Sequence, residues 1–262
     1  MAATSSDPDE RGPIPVVLVH GNPETRAVWG PVADLLDRPG VHTPNLPGFG
    51  CPTPSGFTST KDAYADWLVG EIEALGRPVH LVGHDWGGIL TVRVAETRPD
   101  LLASWCSDAV GMFHPDYVWH DMALVWQTPG DGEAAVSAMA ALDPALAIAG
   151  FEALGIPTPQ ATSIVTALDA DTGASVLTLY RSAVPELLVT WRAAAEAAAG
   201  RPGLTIRATA DPYSGDDRMV LEAAATMRAE VVTLDGLGHW WMLQDPELAT
   251  HTLATWFARH EA

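Results

Sequence analysis

Lysine is almost absent from this chain, with Lys61 its only one, and cysteine occurs twice, as Cys51 and Cys106. The two cysteines form no C-x-x-C pair, and two are too few for a disulfide framework or a zinc knuckle. Lys61 lies in the polar stretch FTSTKD, which reads as a turn. Schiff-base chemistry needs a desolvated lysine and is not expected there. No run of ~18 apolar residues occurs, so no spanning helix is expected. The first 13 residues, MAATSSDPDERGP, lack the charged-then-apolar profile of a signal peptide, and a cytoplasmic location is the expectation. Positive charge is scarce throughout: 14 Lys and Arg against 33 Asp and Glu leave a formal charge of −19. Such a surface repels phosphate backbones and anionic lipid, which argues against nucleic-acid and membrane partners. No H-E-x-x-H, P-loop or G-x-G-x-x-G occurs, so neither a metal nor an organic cofactor is implied.

What is present is a chain able to bury a core. Its 262 residues are 47% hydrophobic, enough for one large domain or one domain with an inserted lobe. Short apolar runs alternate with helical patterns. IPVVLVH (14–20), VHTPNLPGFG (41–50), PVHLVG (78–83) and LASWCSDAVG (102–111) read as strands. Residues 27–36, 60–75 and 86–97 read as helices between them. From 112 to 200 the strand pattern stops, and Ala-rich helical stretches carry the aromatics Phe113, Tyr117, Trp119, Trp126, Tyr180 and Trp191. Strands return in RPGLTIRATAD (201–211) and EVVTLDG (230–236), followed by helices near 214–229 and 246–259. The pattern predicts an open, mostly parallel α/β sheet flanked by helices, with 1–111 and 201–262 as the core and 112–200 as an inserted helical lid.

In a parallel sheet, ligands gather beyond the carboxyl ends of the strands. His20-Gly21-Asn22-Pro23 follows the first strand, Asp85-Trp86 the third, Asp108 the fourth, Asp211 the first strand after the insert, and His239 the last. Three acids and a histidine thus converge on one edge. Gly83-His84-Asp85-Trp86-Gly87 has the strand–turn–helix context of a nucleophile elbow, with Asp where serine usually stands. An isolated Asp at such a corner could equally be a helix N-cap.

With HGNP (20–23), PGFG (47–50), GHDWGG (83–88), the acid of ATADPY (208–213) and GLGHWW (236–241), the chain resembles the aspartate-nucleophile branch of the α/β-hydrolases, which holds haloalkane dehalogenases and epoxide hydrolases. The resemblance implies that Asp85 attacks a saturated carbon to form an ester, that His239 activates the water that hydrolyses it, and that an acid orients His239. That acid is Asp211, with Asp108 the alternative. The backbone N–H groups of Trp86 and Asn22 would form an oxyanion hole. The Trp86 indole and Asn22 amide, directly after the nucleophile and inside HGNP, match halide-holding positions of dehalogenases. Tyr180, and with it Tyr117, resembles the lid tyrosines that donate a proton to an opened epoxide. GHWW also looks more like epoxide hydrolases. Fluoroacetate dehalogenases place arginines after the nucleophile, where this chain has Trp86, Ile89 and Leu90. The expected partner is a small apolar substrate in a cavity under the lid, with dehalogenation the first reading and epoxide hydrolysis the alternative. Nothing in the sequence speaks to the oligomeric state. A non-catalytic small-molecule receptor is the reading from another class. An unused buried acid cluster would destabilise such a protein. The first strand arrives so early that the two strands usual before it have little room. His114 and His120 with Asp116 and Asp121 read as solvated lid residues rather than metal ligands.

Overall fold

A computed structural model describes residues 12–261. The acidic stretch over 1–11 and Ala262 lie outside the described residues. Six strands form one sheet in the order β2-β1-β3-β4-β5-β6: β1 Val16–Val19, β2 Val41–His42, β3 Val79–Gly83, β4 Leu102–Ser107, β5 Gly203–Ala208 and β6 Glu230–Leu234. Every pairing is parallel. Parallel strands need crossovers, and the helices that supply them cover both faces. That is why β1 is a continuous apolar run rather than an alternating one, and β3 is buried along its whole length, His80 included. Val16, Leu18 and Val82 pack on one face with Trp29, Trp241, Trp256 and Phe257. Val17, Val19, Val79 and Leu81 pack on the other with Leu68, Leu90 and Trp105.

The core helices are α1 Gly30–Leu36, α2 Lys61–Glu73 and α3 Trp86–Thr97 before the insert, and α10 Asp217–Thr226, α11 Trp241–Gln244 and α12 Pro246–Ala258 after it. Between β4 and β5 lie α4 Asp121–Gln127, α5 Asp131–Ala141, α6 Pro144–Ala153, α7 Thr158–Ala167, α8 Ala170–Arg181 and α9 Pro185–Ala194. Among the described residues no single helix is long and apolar enough to cross a membrane.

Three local expectations need correction. The second strand was expected over 41–50, but only Val41–His42 pairs. Pro44 and Pro47 have no N–H to give a ladder, and the segment leaves the sheet edge as a loop. The helix expected over 27–36 is split into a 3-10 turn, Arg26–Trp29, and α1, whose first turn carries Pro31. Lys61 does not sit in a solvated turn. It opens α2 and is 4% exposed, with Nζ 2.7 Å from Asp62 Oδ2 and 4.6 Å above the Trp191 ring. Arg93 lies 5.0 Å from the same ring, and Trp191 Nε1 donates to Asp62 Oδ1 at 3.1 Å. Two cations and a carboxylate thus fasten α9 to α2 and α3.

Candidate active site

Val19 of β1 pairs with Gly83 of β3, and Gly83 with Ser107 of β4. The carboxyl ends of the strands therefore line one edge. The strand order reverses at β1, with β2 on one side and β3 on the other, and a crevice opens beyond such a switch point. Asn22 and Asp85 meet there: the Asn22 N–H donates to Asp85 Oδ1 at 2.8 Å.

Asp85 has φ 51° and ψ −121°, a conformation that costs a non-glycine residue about 1–3 kcal/mol. The turn closes only because its neighbours lack side chains. A Cβ on Gly83 would strike the Gly87 backbone, and one on Gly87 would strike the Val19 carbonyl. The Asp85 carboxylate makes no capping bond to α3, so the N-cap reading does not hold. It projects over the sheet edge instead, with Oδ2 3.9 Å from His239 Nε2.

His239 Nδ1 lies 3.0 Å from Asp211 Oδ2. Asp211 also accepts the Tyr213 N–H at 2.8 Å and the Ser214 hydroxyl at 2.7 Å. Burial opposes its ionisation, but the His239 charge and these donors hold it near about 2. Asp108 has other partners: His84 Nδ1 at 2.6 Å, the Asp85 N–H at 2.9 Å and Trp241 Nε1 at 2.7 Å. The structure therefore pairs Asp211 with His239, and gives Asp108, the alternative acid, to the turn and to His84.

His84 is the centre of a buried charge network. Its Nε2 lies 3.1 Å from Glu24 Oε1. Glu24 further accepts the Gly21 N–H at 3.1 Å and Trp240 Nε1. Burial works against charge on both residues. The two carboxylates outweigh it and raise His84 well above the ordinary histidine range, while His84, His239 and His20 hold Glu24 down at about 2. The His84 and His239 rings lie 4.5 Å apart. Burial pushes Asp85 up to about 6, against the pull of the His239 and His84 charges. Burial and the His84 charge lower His239, but Asp211 and Asp85 prevail and its value is raised. Glu24, His84 and His239 bring three potential metal-ligand atoms within 4.8 Å of one another. Both His84 nitrogens donate to carboxylates, however, so neither has a lone pair for a metal.

Over Trp86, next to Asp85, the segment between β4 and β5 packs aromatic rings. Trp119 stacks on Trp86 at 5.6 Å, and Tyr180 meets Trp86, Trp119 and Trp126 at 5.4, 5.2 and 4.8 Å. The Tyr180 hydroxyl lies beside the Asn22 amide and the Trp86 indole; burial and then the Asp85 charge raise it well above the phenol range. Asn22 Nδ2 and Trp86 Nε1 are buried and complete no hydrogen bond. Tyr117, expected as a second lid donor, gives its hydrogen to the Tyr213 carbonyl at 2.9 Å. Outside lies an open depression of about 420 Å³ lined by Tyr117, His120, Asp211 and Tyr213. His114 and Asp116 are held by Glu222 at 2.8 Å and Arg218 at 3.0 Å. The sequence reading passed over Glu24, although an acid directly after HGNP was a visible signal.

The alpha/beta hydrolase family matches this chain over residues 16–250. An (E)-2-((N-methylformamido)methylene)succinate hydrolase of Acinetobacter baylyi is 32% identical over 90 residues, 34% of each chain. A haloalkane dehalogenase of Psychrobacter cryohalolentis is 30% identical over 102 residues, covering 37% of this chain and 34% of that protein. The chain thus matches about a third of the length of these curated relatives. A solved Pseudomonas aeruginosa chain, provisionally assigned as an epoxide hydrolase, superposes with a TM-score of 0.76 at 23% identity, covering 95% of this chain and 89% of that one.

Proposed function

Given that the chain belongs to the alpha/beta hydrolase family, we propose that it hydrolyses a carbon–halogen bond through an ester on Asp85. The observation that carries this reading is the pair of buried donors Asn22 Nδ2 and Trp86 Nε1, which complete no well-formed hydrogen bond and both face the Tyr180 hydroxyl oxygen, itself within the field of Asp85. A buried donor without an acceptor is unfavourable by about 1–3 kcal/mol, and a halide leaving a dry pocket accepts hydrogen bonds without needing a proton. Asp85 Oδ2 attacks the carbon, the halide departs with the bonding pair, and an ester remains. His239 takes a proton from water, the resulting hydroxide adds to the ester carbonyl, and collapse releases the alcohol and restores the carboxylate. The Asn22 N–H, already on Oδ1, stabilises the oxyanion. Asp211 holds the His239 ring and balances its charge. Halide release from 1-bromohexane and 1-chlorohexane tests the reading. Asn22→Ala and Trp86→Phe should each lower it about 10²–10³-fold. A wild type that releases no halide from either compound would sink it.

Tyr180 favours a second reading, epoxide opening, because its un-ionised hydroxyl lies beside the same Asn22 amide and Trp86 indole and within the field of Asp85. Diol formation from 1,2-epoxyhexane, lost in Tyr180→Phe, would establish it.

Both readings need Asp85 ionised and His239 neutral at successive steps. Asp85 sits at about 6, so ester formation should fall about tenfold per pH unit below that value. Esterification removes the Asp85 charge, one of the influences that raise His239. The base is therefore easier to deprotonate in the step that uses it. Rapid-quench measurement of ester formation against pH checks this; a flat profile between pH 4.5 and 7 would contradict it.

A further inference from the structure

Tyr180 of α8, Trp86 and Asn22 are all buried. The Tyr180 ring meets Trp86 edge-on, with centroids 5.4 Å apart and planes at 85°. The polar heads of the neighbouring rings are committed elsewhere: Trp119 Nε1 donates to the Ala183 carbonyl at 2.9 Å, and the Tyr117 hydroxyl to the Tyr213 carbonyl at 2.9 Å. Trp86 Nε1 and Asn22 Nδ2 are not committed in this way. Both face the Tyr180 hydroxyl oxygen, and neither completes a well-formed hydrogen bond. The two donors that a departing halide needs thus already face an oxygen belonging to the protein. A phenol oxygen and a halide ion are alternative acceptors for the same N–H groups, and an N–H given fully to one is lost to the other. The Tyr180 backbone is held in place, because its carbonyl accepts Gln127 Nε2 at 3.2 Å and the Ala183 N–H at 3.1 Å.

We propose that the Tyr180 hydroxyl oxygen is a built-in competitor for the halide site: it takes Asn22 Nδ2 and Trp86 Nε1 back from the halide, and so sets how weakly the protein holds its product anion. This deepens the reading of Asn22 and Trp86 as halide donors and rests on it. During ester formation the halide carries away the bonding pair and accepts both N–H groups, with the Tyr180 side chain turned aside by rotation and α8 unmoved. Asp85 is then a neutral ester, so its charge does not oppose the anion. Hydrolysis restores the carboxylate. Its charge repels the halide, and the phenol oxygen returns to the two donors. No covalent bond changes in that exchange, and no proton moves. The formal charge of −19 on the chain then opposes re-entry of the anion. Without the phenol oxygen the two donors would be left with no acceptor when the halide departs. Release would be less favourable, and the anion would be held more tightly.

The test is the equilibrium affinity for bromide, at one pH and constant ionic strength, in the wild type, Tyr180→Phe and Tyr180→Phe/Asn22→Ala. Phe keeps the ring, which must turn aside in either protein, and removes only the oxygen. Trp86 is the reporter: its fluorescence response to sodium bromide is the difference between each protein and the same protein carrying Trp86→Phe, which subtracts quenching of the other tryptophans. Tyr180→Phe should bind bromide about tenfold or more tightly than the wild type, and adding Asn22→Ala should remove most of that gain. Equal or weaker binding by Tyr180→Phe overturns the proposal. A gain that survives Asn22→Ala also overturns it, because the anion then sits elsewhere. Bromide release from 1-bromohexane by the wild type separates the two levels. Release without tighter binding by Tyr180→Phe leaves the dehalogenation reading standing and removes this one. A wild type that releases none removes both, since there is then no product halide to expel.

Discussion

Asp85→Asn should lose turnover by about 10⁴-fold or more and at the same time resist unfolding better than the wild type. The first effect follows from chemistry: an amide does not displace a leaving group from saturated carbon. The second follows from burial. The Asp85 carboxyl sits at about 6 in the folded protein and near 3.9 in an unfolded chain. A folded value above the unfolded one means that folding opposes ionisation. The penalty is absent below pH ~4, grows through the interval to about 6, and is full above it, where it amounts to about 2–3 kcal/mol. Asn keeps an oxygen for the Asn22 N–H and removes the charge. Part of the gain is offset by desolvating the amide, so a net stabilisation of about 1–2 kcal/mol is expected at pH 8 and little at pH 4. Urea unfolding at the two pH values measures it. Equal stabilities at pH 8 would show that the site does not strain its nucleophile. His239→Gln is the companion variant. It leaves Asp85 able to attack but removes the base, so the ester should accumulate and be read as an added alkyl mass, absent when Asp85 is also Asn. No added mass in His239→Gln would mean that Asp85 is not the attacking group.

The fold was legible because its signals are local. The buried parallel strands are short, mostly apolar runs, and Gly83, Gly87 and Pro246 punctuate the chain where the backbone demands it. The edge strand was overread because an apolar stretch containing Pro44 and Pro47 looks like a strand until its missing donors are counted. Candidate site residues were legible one by one, each following a strand. Their pairing was not. Asp108 and Asp211 both follow strands toward the same edge, and only three-dimensional placement gives His239 to one and His84 to the other. Lys61 was misplaced for a related reason: its neighbours in sequence are polar, but Trp191, which buries it, is 130 residues away. Glu24 directly follows HGNP, but its partners His84 and Trp240 stand 60 and 216 residues further along the chain.

Replacing His84 by Phe should be the most destabilising single change in this site. The imidazole lies between Asp108 at 2.6 Å and Glu24 at 3.1 Å, fully buried. Removing one partner from a buried ion network leaves uncompensated charge and costs about 3–5 kcal/mol. Two carboxylates would then face an apolar ring, and at least one would take up a proton. The sign of the pH dependence therefore inverts. In the wild type Glu24 is held at about 2, below its unfolded value, so its contribution is present above pH ~4.5 and lost as pH falls toward 2. In the variant the His84 charge is gone, and burial outweighs the weaker pull of His239 and His20 and raises Glu24 above its unfolded value. Its protonated form is then the stable one, and stability declines as pH rises. The variant should unfold more readily at pH 8 than at pH 5, the reverse of a Glu24 that keeps its partner. Adding Glu24→Gln should recover part of the loss, because it removes one of the two orphaned charges while its amide oxygen keeps an acceptor for one of the two donors, Gly21 N–H or Trp240 Nε1. A double variant no more stable than His84→Phe would place the loss in ring packing rather than charge. The same cation also lowers Asp85. In any His84→Phe protein that folds, the pH below which ester formation fails should therefore move above 6, which links the buried network to the nucleophile through charge alone.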